Sequence, residues 1–217
     1  MTQYPDYAQY SYRQPDGTVD YERYVRTQSE TNAGKLRYQW VKPRTIHTIC
    51  DYLAGHVPIV RFGLCHGTRR GDEQAIFKQY YPECVVVGTE IAPTATQFPD
   101  TIQWDFHEIK PEWEGAADFV YSNSLDHAYD PQLAVGQWIR CLATPGYCFV
   151  EWWGEPVPTV TPADCFRATL AGCQSLLREW GKAADDSYGI VDTLTRIRSP
   201  RHGTSSGAGA VFVLAKE

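Results

Sequence analysis

The sequence predicts an α/β protein: a three-layer sandwich in which helices cover both faces of a mostly parallel, seven-stranded sheet. Two observations support this fold class. Apolar, strand-like runs alternate with helical patterns as far as residue 180, which is typical of βαβ units. The last two strand-like segments, residues 188–197 and 210–215, have no helix between them, so we expect an antiparallel hairpin at the C-terminal end of the sheet.

Composition narrows the class of protein. The chain has 217 residues, of which 43% are hydrophobic and 21% charged, with a net charge of −6. These values are typical of a soluble globular protein, and the acidic balance argues against a nucleic-acid partner. No apolar run reaches the ~20 residues of a membrane span, and the polar N-terminus does not resemble a signal peptide. We therefore expect no membrane association and a cytoplasmic location.

The seven cysteines are scattered along the chain, and none forms a C-x-x-C pair. This spacing predicts neither a zinc site nor a redox motif, so we expect no bound metal. Thiols in apolar surroundings are typical of small buried hydrophobic residues in a reducing compartment.

We divide the chain at residue 44. Residues 1–44 form an extension or lid that contains seven of the 14 tyrosines, and residues 45–217 form the main domain. A polar helix is predicted over residues 20–35, broken near residues 32–34, and a firmer one over residues 44–53. In the second helix Ile46, Ile49, Cys50 and Leu53 recur at helical spacing.

Residues 57–93 are the most informative part of the chain. An apolar strand over residues 57–64 leads into a turn that contains Gly67 and Gly71, and a helix over residues 72–80 follows. A second apolar strand, residues 84–89, ends at Glu90, about 20 residues after the glycine turn. A ligand that crosses a glycine turn and offers a ribose diol to an acid would use this layout. The unit therefore predicts a nucleoside-bearing cofactor.

The remaining elements continue the alternation. Strands are predicted over residues 101–104, ending at Asp105, and over residues 116–121, followed by a polar segment from Ser122 to His127. A helix begins at Asp130-Pro131 and stops at residues 144–146. A strand over residues 147–152, a helix over residues 164–180 and a Gly/Ser-rich loop over residues 202–209 complete the order.

From residue 45 to residue 217 the chain resembles the class I S-adenosylmethionine (SAM)-dependent methyltransferases, which have a Rossmann-like fold. Its glycine turn resembles that family's first motif, and three later landmarks match in position: Glu90, Asp105 and the polar segment 122–127. The first motif departs from the usual G-x-G-x-G, because Arg69 and Arg70 lie between the glycines. In addition, the apolar Phe62 and Leu64 occupy the region where the family often has an acid.

The resemblance implies SAM as the cofactor, with Glu90 on the ribose and Asp105 on the adenine. Arg69 or Arg70 could clamp the methionine carboxylate, bind a substrate phosphate or form a solvated pair. The expected cofactor-binding residues are Cys65, His66, Gly67, Thr68, Arg69, Gly71, Glu90, Ile91, Asp105, Phe106, Asn123 and Ser124.

On the substrate side, His127 is the candidate general base, with Asp126 as its orienting partner. The alternative is that both residues belong to a loop that closes onto the next helix. The candidate substrate-binding residues are aromatic: Tyr21, Tyr24, Trp40, Tyr129 and Trp152. Aromatic residues of the extension could equally pack in the core or form a homodimer surface.

The sequence thus predicts methyl transfer from SAM to a small-molecule acceptor. An NAD(P)-dependent oxidoreductase is one alternative, although the chain lacks a second βαβ half. A methyltransferase-like binding or scaffold protein without catalysis is the other, and it is supported by the irregular first motif.

Overall fold

The computed structural model describes residues 2–153, 159–198 and 208–217. Its helices and strands are, in order, β1 (Thr2–Gln3), β2 (Tyr7–Gln9), α1 (Tyr21–Lys35), α2 (Pro43–His56), β3 (Phe62–His66), α3 (Asp72–Tyr80), β4 (Val85–Glu90), β5 (Thr101–Gln103), β6 (Ala117–Ser122), α4 (Pro131–Arg140), β7 (Leu142–Trp152), β8 (Phe166–Ala168), α5 (Leu170–Ala183), β9 (Tyr188–Arg198) and β10 (Ala208–Lys216). Short 3₁₀ turns lie at Pro93–Gln97, Pro111–Trp113 and Leu125–His127.

The main sheet has seven strands in the order β5-β4-β3-β6-β7-β10-β9. Strands β3 to β7 pair in parallel, whereas β10 runs antiparallel to both β7 and β9. The predicted fold class is therefore confirmed: a mostly parallel, Rossmann-like sheet with an antiparallel C-terminal hairpin. The strand order reverses between β3 and β6, and the carboxyl ends of strands at such a switch point form a crevice where ligands bind.

Two hydrophobic clusters, one on each face of the sheet, make up the core. On one face Ile46 and Leu53 of α2 are fully buried and pack with Phe77 of α3 and Phe119 of β6. On the other face Trp138 of α4 is fully buried, and its indole nitrogen donates to the carbonyl oxygen of Phe106 at 3.0 Å. Apolar burial on both faces explains why the strands are nearly continuous hydrophobic runs.

Several predicted boundaries were wrong. The first strand of the main sheet begins at Phe62 rather than at residue 57, and α1 continues unbroken to Lys35. Helix α4 ends at Arg140, and residues 144–146 lie inside β7, where the pairing with β6 shifts register. Of the predicted loop 202–209, residues 208 and 209 belong to β10, and the rest lies outside the described residues.

The predicted helix start at residue 164 was also wrong. Residues Phe166–Ala168 form β8, and α5 begins only at Leu170, where the Thr169 hydroxyl accepts from the amide of Gly172 at 3.0 Å. Strand β8 pairs with β2 in a small sheet of order β1-β2-β8. The division at residue 44 stays a prediction, and this small sheet joins residues from both sides of it.

None of the helices in the described ranges has the length and apolar character needed to cross a membrane.

Candidate functional site

Two adjoining cavities lie where β3, β4 and β6 end. The open cleft, about 910 Å³, is lined by Lys35, Tyr38, Trp40, Gly67, Thr68, Arg69, Arg70, Asp72, Glu73, Asn123, Ser124, Asp126, His127, Trp153, Asp164 and Arg167. The narrow cavity, about 490 Å³, is lined by Tyr24, Gln28, Thr31, Asn32, Gly67, Arg69, Glu90, Ile91, Asp105, Phe106, Ser124 and His127. Because Gly67, Arg69, Ser124 and His127 line both, the two cavities form one continuous site.

The glycine turn lies against the end of β6. Gly67 has φ +72°, and a Cβ there would lie 2.5 Å from Cβ of Ser124, so no larger residue fits without displacing it. The Ser124 hydroxyl donates to the Gly67 carbonyl at 3.0 Å, and the Ser122 hydroxyl donates to the His66 carbonyl at 3.1 Å. These bonds fix the turn as the floor shared by both cavities.

Arg69 occupies a backbone conformation that usually requires glycine, with φ +51°. Its amide donates to Oε2 of Glu90 at 3.1 Å, and its guanidinium Nη1 donates to the Tyr38 carbonyl at 3.4 Å. Its Nε is buried and has no hydrogen-bond partner among the described residues. Burial lowers the pKa of Arg69. The side chain therefore brings an incompletely satisfied cation to the point where the cavities join.

Glu90 ends β4 and is 8% exposed. Its Oε1 accepts from the amide of Ala92 at 3.0 Å and its Oε2 accepts from the amide of Arg69 at 3.1 Å. Burial raises the pKa of Glu90, although these two hydrogen bonds act to lower it. A carboxylate offers about four lone-pair positions, so two stay available toward the narrow cavity.

Asp105 stands beside Glu90 in the narrow cavity and is held on both oxygens. Oδ1 accepts from the backbone amide and from Nδ1 of His107 at 2.9 and 2.7 Å, and Oδ2 accepts from the Tyr21 hydroxyl at 2.9 Å. Burial acts to raise the pKa of Asp105, but the hydrogen bonds outweigh it and the pKa is lowered. Helix α1 supplies the facing wall through Tyr24 and the polar residues that follow it.

His127 faces both cavities with a defined tautomer. Its Nδ1 donates to the Ala163 carbonyl at 2.8 Å, so the lone pair of the neutral ring is on Nε2. Oδ1 of Asp126 lies 3.8 Å from Nε2, and Asp164 lies on the Nδ1 side at 3.9 Å. Asp126, His127 and Asp164 are the group of potential metal ligands in the described part of the chain. A cation there would compete with Arg167, which is 3.0 Å from Asp164.

Two buried acids lie below the open cleft. Glu151, at the end of β7, accepts from the Trp153 indole at 2.6 Å and from the Tyr121 hydroxyl, and burial raises its pKa to about 7. Glu73, in the first turn of α3, is 5% exposed, and burial raises its pKa to about 8. At pH 7 Glu73 is therefore largely protonated, and Glu151 is about half protonated.

Most of the predicted site residues line the site. His127, Asp126, Asn123, Ser124, Thr68 and Trp40 line the open cleft, and Glu90, Ile91, Asp105, Phe106 and Tyr24 line the narrow cavity. Cys65, His66 and Gly71 are absent from both sets of lining residues. Cys65 is fully buried in the core. His66 contacts Thr89 at 2.9 Å, and burial lowers its pKa to about 3. Gly71 has φ +81° and caps α3.

Three of the aromatic candidates also lie outside both cavities. Tyr21 donates to Asp105 from the rim, Tyr129 stacks on His107 with ring centroids 3.9 Å apart, and Trp152 donates to the Ala168 carbonyl at 2.9 Å. Their roles in substrate binding stay predictions.

Several lining residues were missed from the sequence: Lys35, Tyr38, Gln28, Thr31, Asn32, Glu73, Asp164 and Arg167. The burial of Glu73 could have been predicted from the sequence, because Glu73 lies three and four residues before the buried Ile76 and Phe77 and so shares their helical face. Asp164 and Arg167 were assigned to a helix, and that error hid the loop and short strand that carry them.

No protein-family model matches the sequence, and no curated protein sequence is detectably similar to it. Solved structures do match. A 1,6-didemethyltoxoflavin-N1-methyltransferase from Burkholderia thailandensis, with S-adenosylhomocysteine (SAH) bound, has a TM-score of 0.65 at 16% identity, over 91% of this chain and 89% of its own. The plantazolicin methyltransferase BpumL, in complex with a triazolic desmethylPZN analog and SAH, has a TM-score of 0.64 at 10% identity, over 90% of this chain and 96% of its own.

A SAM-dependent methyltransferase from Leishmania major has a TM-score of 0.62 at 10% identity and covers 99% of both chains. A putative zinc-dependent alcohol dehydrogenase from Rhodobacter sphaeroides is also similar, with a TM-score of 0.54 at 8% identity over 77% of this chain. Identities this low establish the fold and not the activity. The chain therefore has the Rossmann-like fold of the class I SAM-dependent methyltransferases.

Proposed function

We propose that this protein is a SAM-dependent methyltransferase that acts on a small polar acceptor. One observation carries the proposal: a narrow cavity flanked by Glu90 and Asp105 joins an open cleft at Gly67 and His127. We assign the space between the two acids to a nucleoside and the open cleft beside it to a second molecule. This division into a cofactor end and an acceptor end is what methyl transfer requires.

The residues present fit SAM on structural grounds. Glu90 keeps free lone pairs for the ribose hydroxyls, and Phe106 provides a ring at the wall of the narrow cavity. Gly67 keeps the turn in close contact with Ser124, where a Cβ would lie 2.5 Å from Cβ of Ser124. Arg69 brings to the junction a guanidinium nitrogen that has no hydrogen-bond partner among the described residues. Asp105 would accept from the adenine amino group while it keeps its bonds to His107 and Tyr21.

When bound, SAM supplies a methyl group made electrophilic by the sulfonium. The protein would hold the acceptor in line with that methyl, and His127 Nε2 would take the proton that a hydroxyl acceptor loses. Asp126, 3.8 Å from Nε2, would stabilise the imidazolium that forms. The Ala163 carbonyl keeps Nδ1 as the donor throughout, so the accepting nitrogen is defined in advance.

The lining of the open cleft supports a small acceptor with both ring-like and polar parts. Tyr38, Trp40 and Trp153 provide aromatic surface near the charged residues Asp126, Asp164 and Arg167. Aromatic faces with a few placed polar groups are typical of small-molecule sites. A cytoplasmic location, a homodimer and the absence of a nucleic-acid partner remain predictions from the sequence.

A binding protein without catalysis is the second candidate, and Arg69 favours it. Its side chain lines both cavities from a strained backbone position, where it could exclude the cofactor. An NAD(P)-dependent oxidoreductase would have the same fold, so NAD serves as the control ligand in the binding experiment.

The first experiment is isothermal titration of the purified protein with SAH, with NAD in parallel. We expect micromolar SAH binding and no NAD binding, followed by methyl transfer to members of a hydroxyl- and amine-bearing acceptor panel. Binding of NAD alone would overturn the proposal in favour of an oxidoreductase. Binding of neither ligand, or binding of SAH without transfer to any acceptor, would favour the binding protein.

A further inference from the structure

One side-chain atom of Arg69 and one of Glu73, both in the wall of the open cleft, lack hydrogen-bond partners among the described residues. Nε of Arg69 and Oε2 of Glu73 are both buried, and neither is paired within the part of the chain that the structure describes. Both residues line the same cleft. Unsatisfied buried polar atoms are costly, so two of them facing one cavity indicate that a ligand completes them.

Glu73 is the more informative of the two because it is almost fully buried, at 5% exposure. The titratable and charged groups that face it come from its own helix, the glycine turn and three strands: Asp72, Arg69, Arg70, Cys65, Tyr121 and Glu151. Arg70 pairs with Asp72 at 2.8 Å, and Arg69 acts on the Glu73 carboxyl group through its charge without forming an ion pair with it in the described part of the chain. The carboxyl group of Glu73 is therefore placed to bind a cationic group of a ligand.

Strand β3 does not supply an acid to this wall. Gly63 leaves no room for a side chain, because a Cβ would lie 2.1 Å from the ring of Phe119. Cys65 is buried in the core cluster that contains Phe119. The acid comes instead from the first turn of the following helix, directly behind the glycine turn.

We propose that Arg69 and Glu73 together bind an α-amino-acid group, with Glu73 accepting from its ammonium and Arg69 donating to its carboxylate. The proposal rests on the proposed function, since the methionine end of SAM or SAH is the amino-acid group that would reach this wall from the narrow cavity. Glu73 is then a binding residue of the cofactor site, and it makes cofactor affinity depend on pH.

The sign of that dependence follows from burial. In the free protein the pKa of Glu73 is about 8, so about 0.9 of a proton is bound at pH 7. An ammonium beside the carboxyl group stabilises its charged form and lowers its pKa. Binding therefore releases a proton, and SAH affinity should rise with pH between 6 and 8.

Titration calorimetry in phosphate and in Tris at pH 7 measures this release directly on the unmodified protein. SAH is compared with 5′-methylthioadenosine, which has the nucleoside and sulfur but no amino-acid group. We expect release of about 0.9 proton with SAH and essentially none with methylthioadenosine. Equal proton exchange with the two ligands would overturn the assignment.

A matched pair of variants locates the effect. Glu73→Gln keeps the shape and removes the charge, and it should weaken SAH about tenfold to a hundredfold while methylthioadenosine affinity is unchanged. Glu112→Gln, which removes an exposed charge outside both cavities, should leave SAH affinity within about twofold. If Glu73→Gln bound SAH normally, the inference would fail and the proposed function would stand. If the unmodified protein bound neither ligand, the proposed function itself would fail.

Discussion

Replacing Glu90 by glutamine tests the narrow cavity with the smallest change of shape. Both carboxylate oxygens accept from buried backbone amides, those of Ala92 and Arg69. A glutamine side chain has one oxygen and one NH₂ group, so one of the two amides would face a donor. The variant therefore removes one internal hydrogen bond and also the charge that we assign to the ribose.

The two losses have separate magnitudes. An unpaired buried amide costs about 1–3 kcal/mol of folding free energy, and the lower part of that range applies because the desolvated charge of Glu90 is removed as well. For a chain of this size about 1 kcal/mol lowers the melting temperature by roughly 2–4 °C. Loss of a charge-assisted hydrogen bond to the ribose weakens cofactor binding by about 1.5–3 kcal/mol, or roughly 10- to 150-fold.

Thermal unfolding and SAH titration measure the two effects independently. Glu112→Gln is the matched control, because Glu112 is 66% exposed and only loosely paired with Lys110 at 3.8 Å; we expect changes within about 0.5 kcal/mol. A lowered melting temperature with unchanged SAH affinity would refute the ribose assignment. Unchanged values of both would also refute the hydrogen-bonded geometry of Glu90.

Three further substitutions probe other parts of the site. His127→Gln should lower kcat for a hydroxyl acceptor by about 10²–10⁴-fold, with SAH affinity unchanged. An unchanged rate of methyl transfer in a single-turnover assay would exclude His127 as the general base. Gly67→Ala should cost at least about 1–3 kcal/mol in chemical unfolding, because of its positive φ and the contact with Ser124, and should abolish SAH binding. Glu151 has a pKa of about 7 when folded and about 4.3 when unfolded, so wild-type stability falls as pH rises through this window. The stability of Glu151→Gln should therefore rise by about 2.5 kcal/mol relative to wild type between pH 5 and pH 8. A pH-independent difference between the two proteins in urea unfolding would contradict this.

The central part of the fold was predictable because its signals are local. The apolar run that ends at Glu90 forms β4, and the predicted glycine turn follows β3, with positive φ at Gly67 and Gly71. Glu90 and Asp105 were also predicted from a local signal, because each is an acid at or just after the end of a predicted strand. These residues needed no knowledge of distant contacts.

The errors arose where pairing over long sequence distances decides the structure. Residues Phe166–Ala168 are a strand only because β2, more than 150 residues earlier, pairs with them. Pro145 was interpreted as part of a helix stop and turn, but a shift of register near Ala117 accommodates it within β7. Tyr129 was a plausible substrate contact by type, and its stacking on His107 could not be read from composition.

The Ala163 carbonyl connects the N-terminal segment to the candidate base. It accepts from His127 Nδ1 at 2.8 Å and from Gln28 of α1 at 3.0 Å, while the carbonyl of Cys165, in the same loop, accepts from the amide of Tyr10 at 2.7 Å. The ring that would take the proton is thus aimed by a loop that the first 28 residues hold in place. Shortening or fusing the N-terminus would alter proton transfer at His127 even if every residue that contacts the cofactor were left intact.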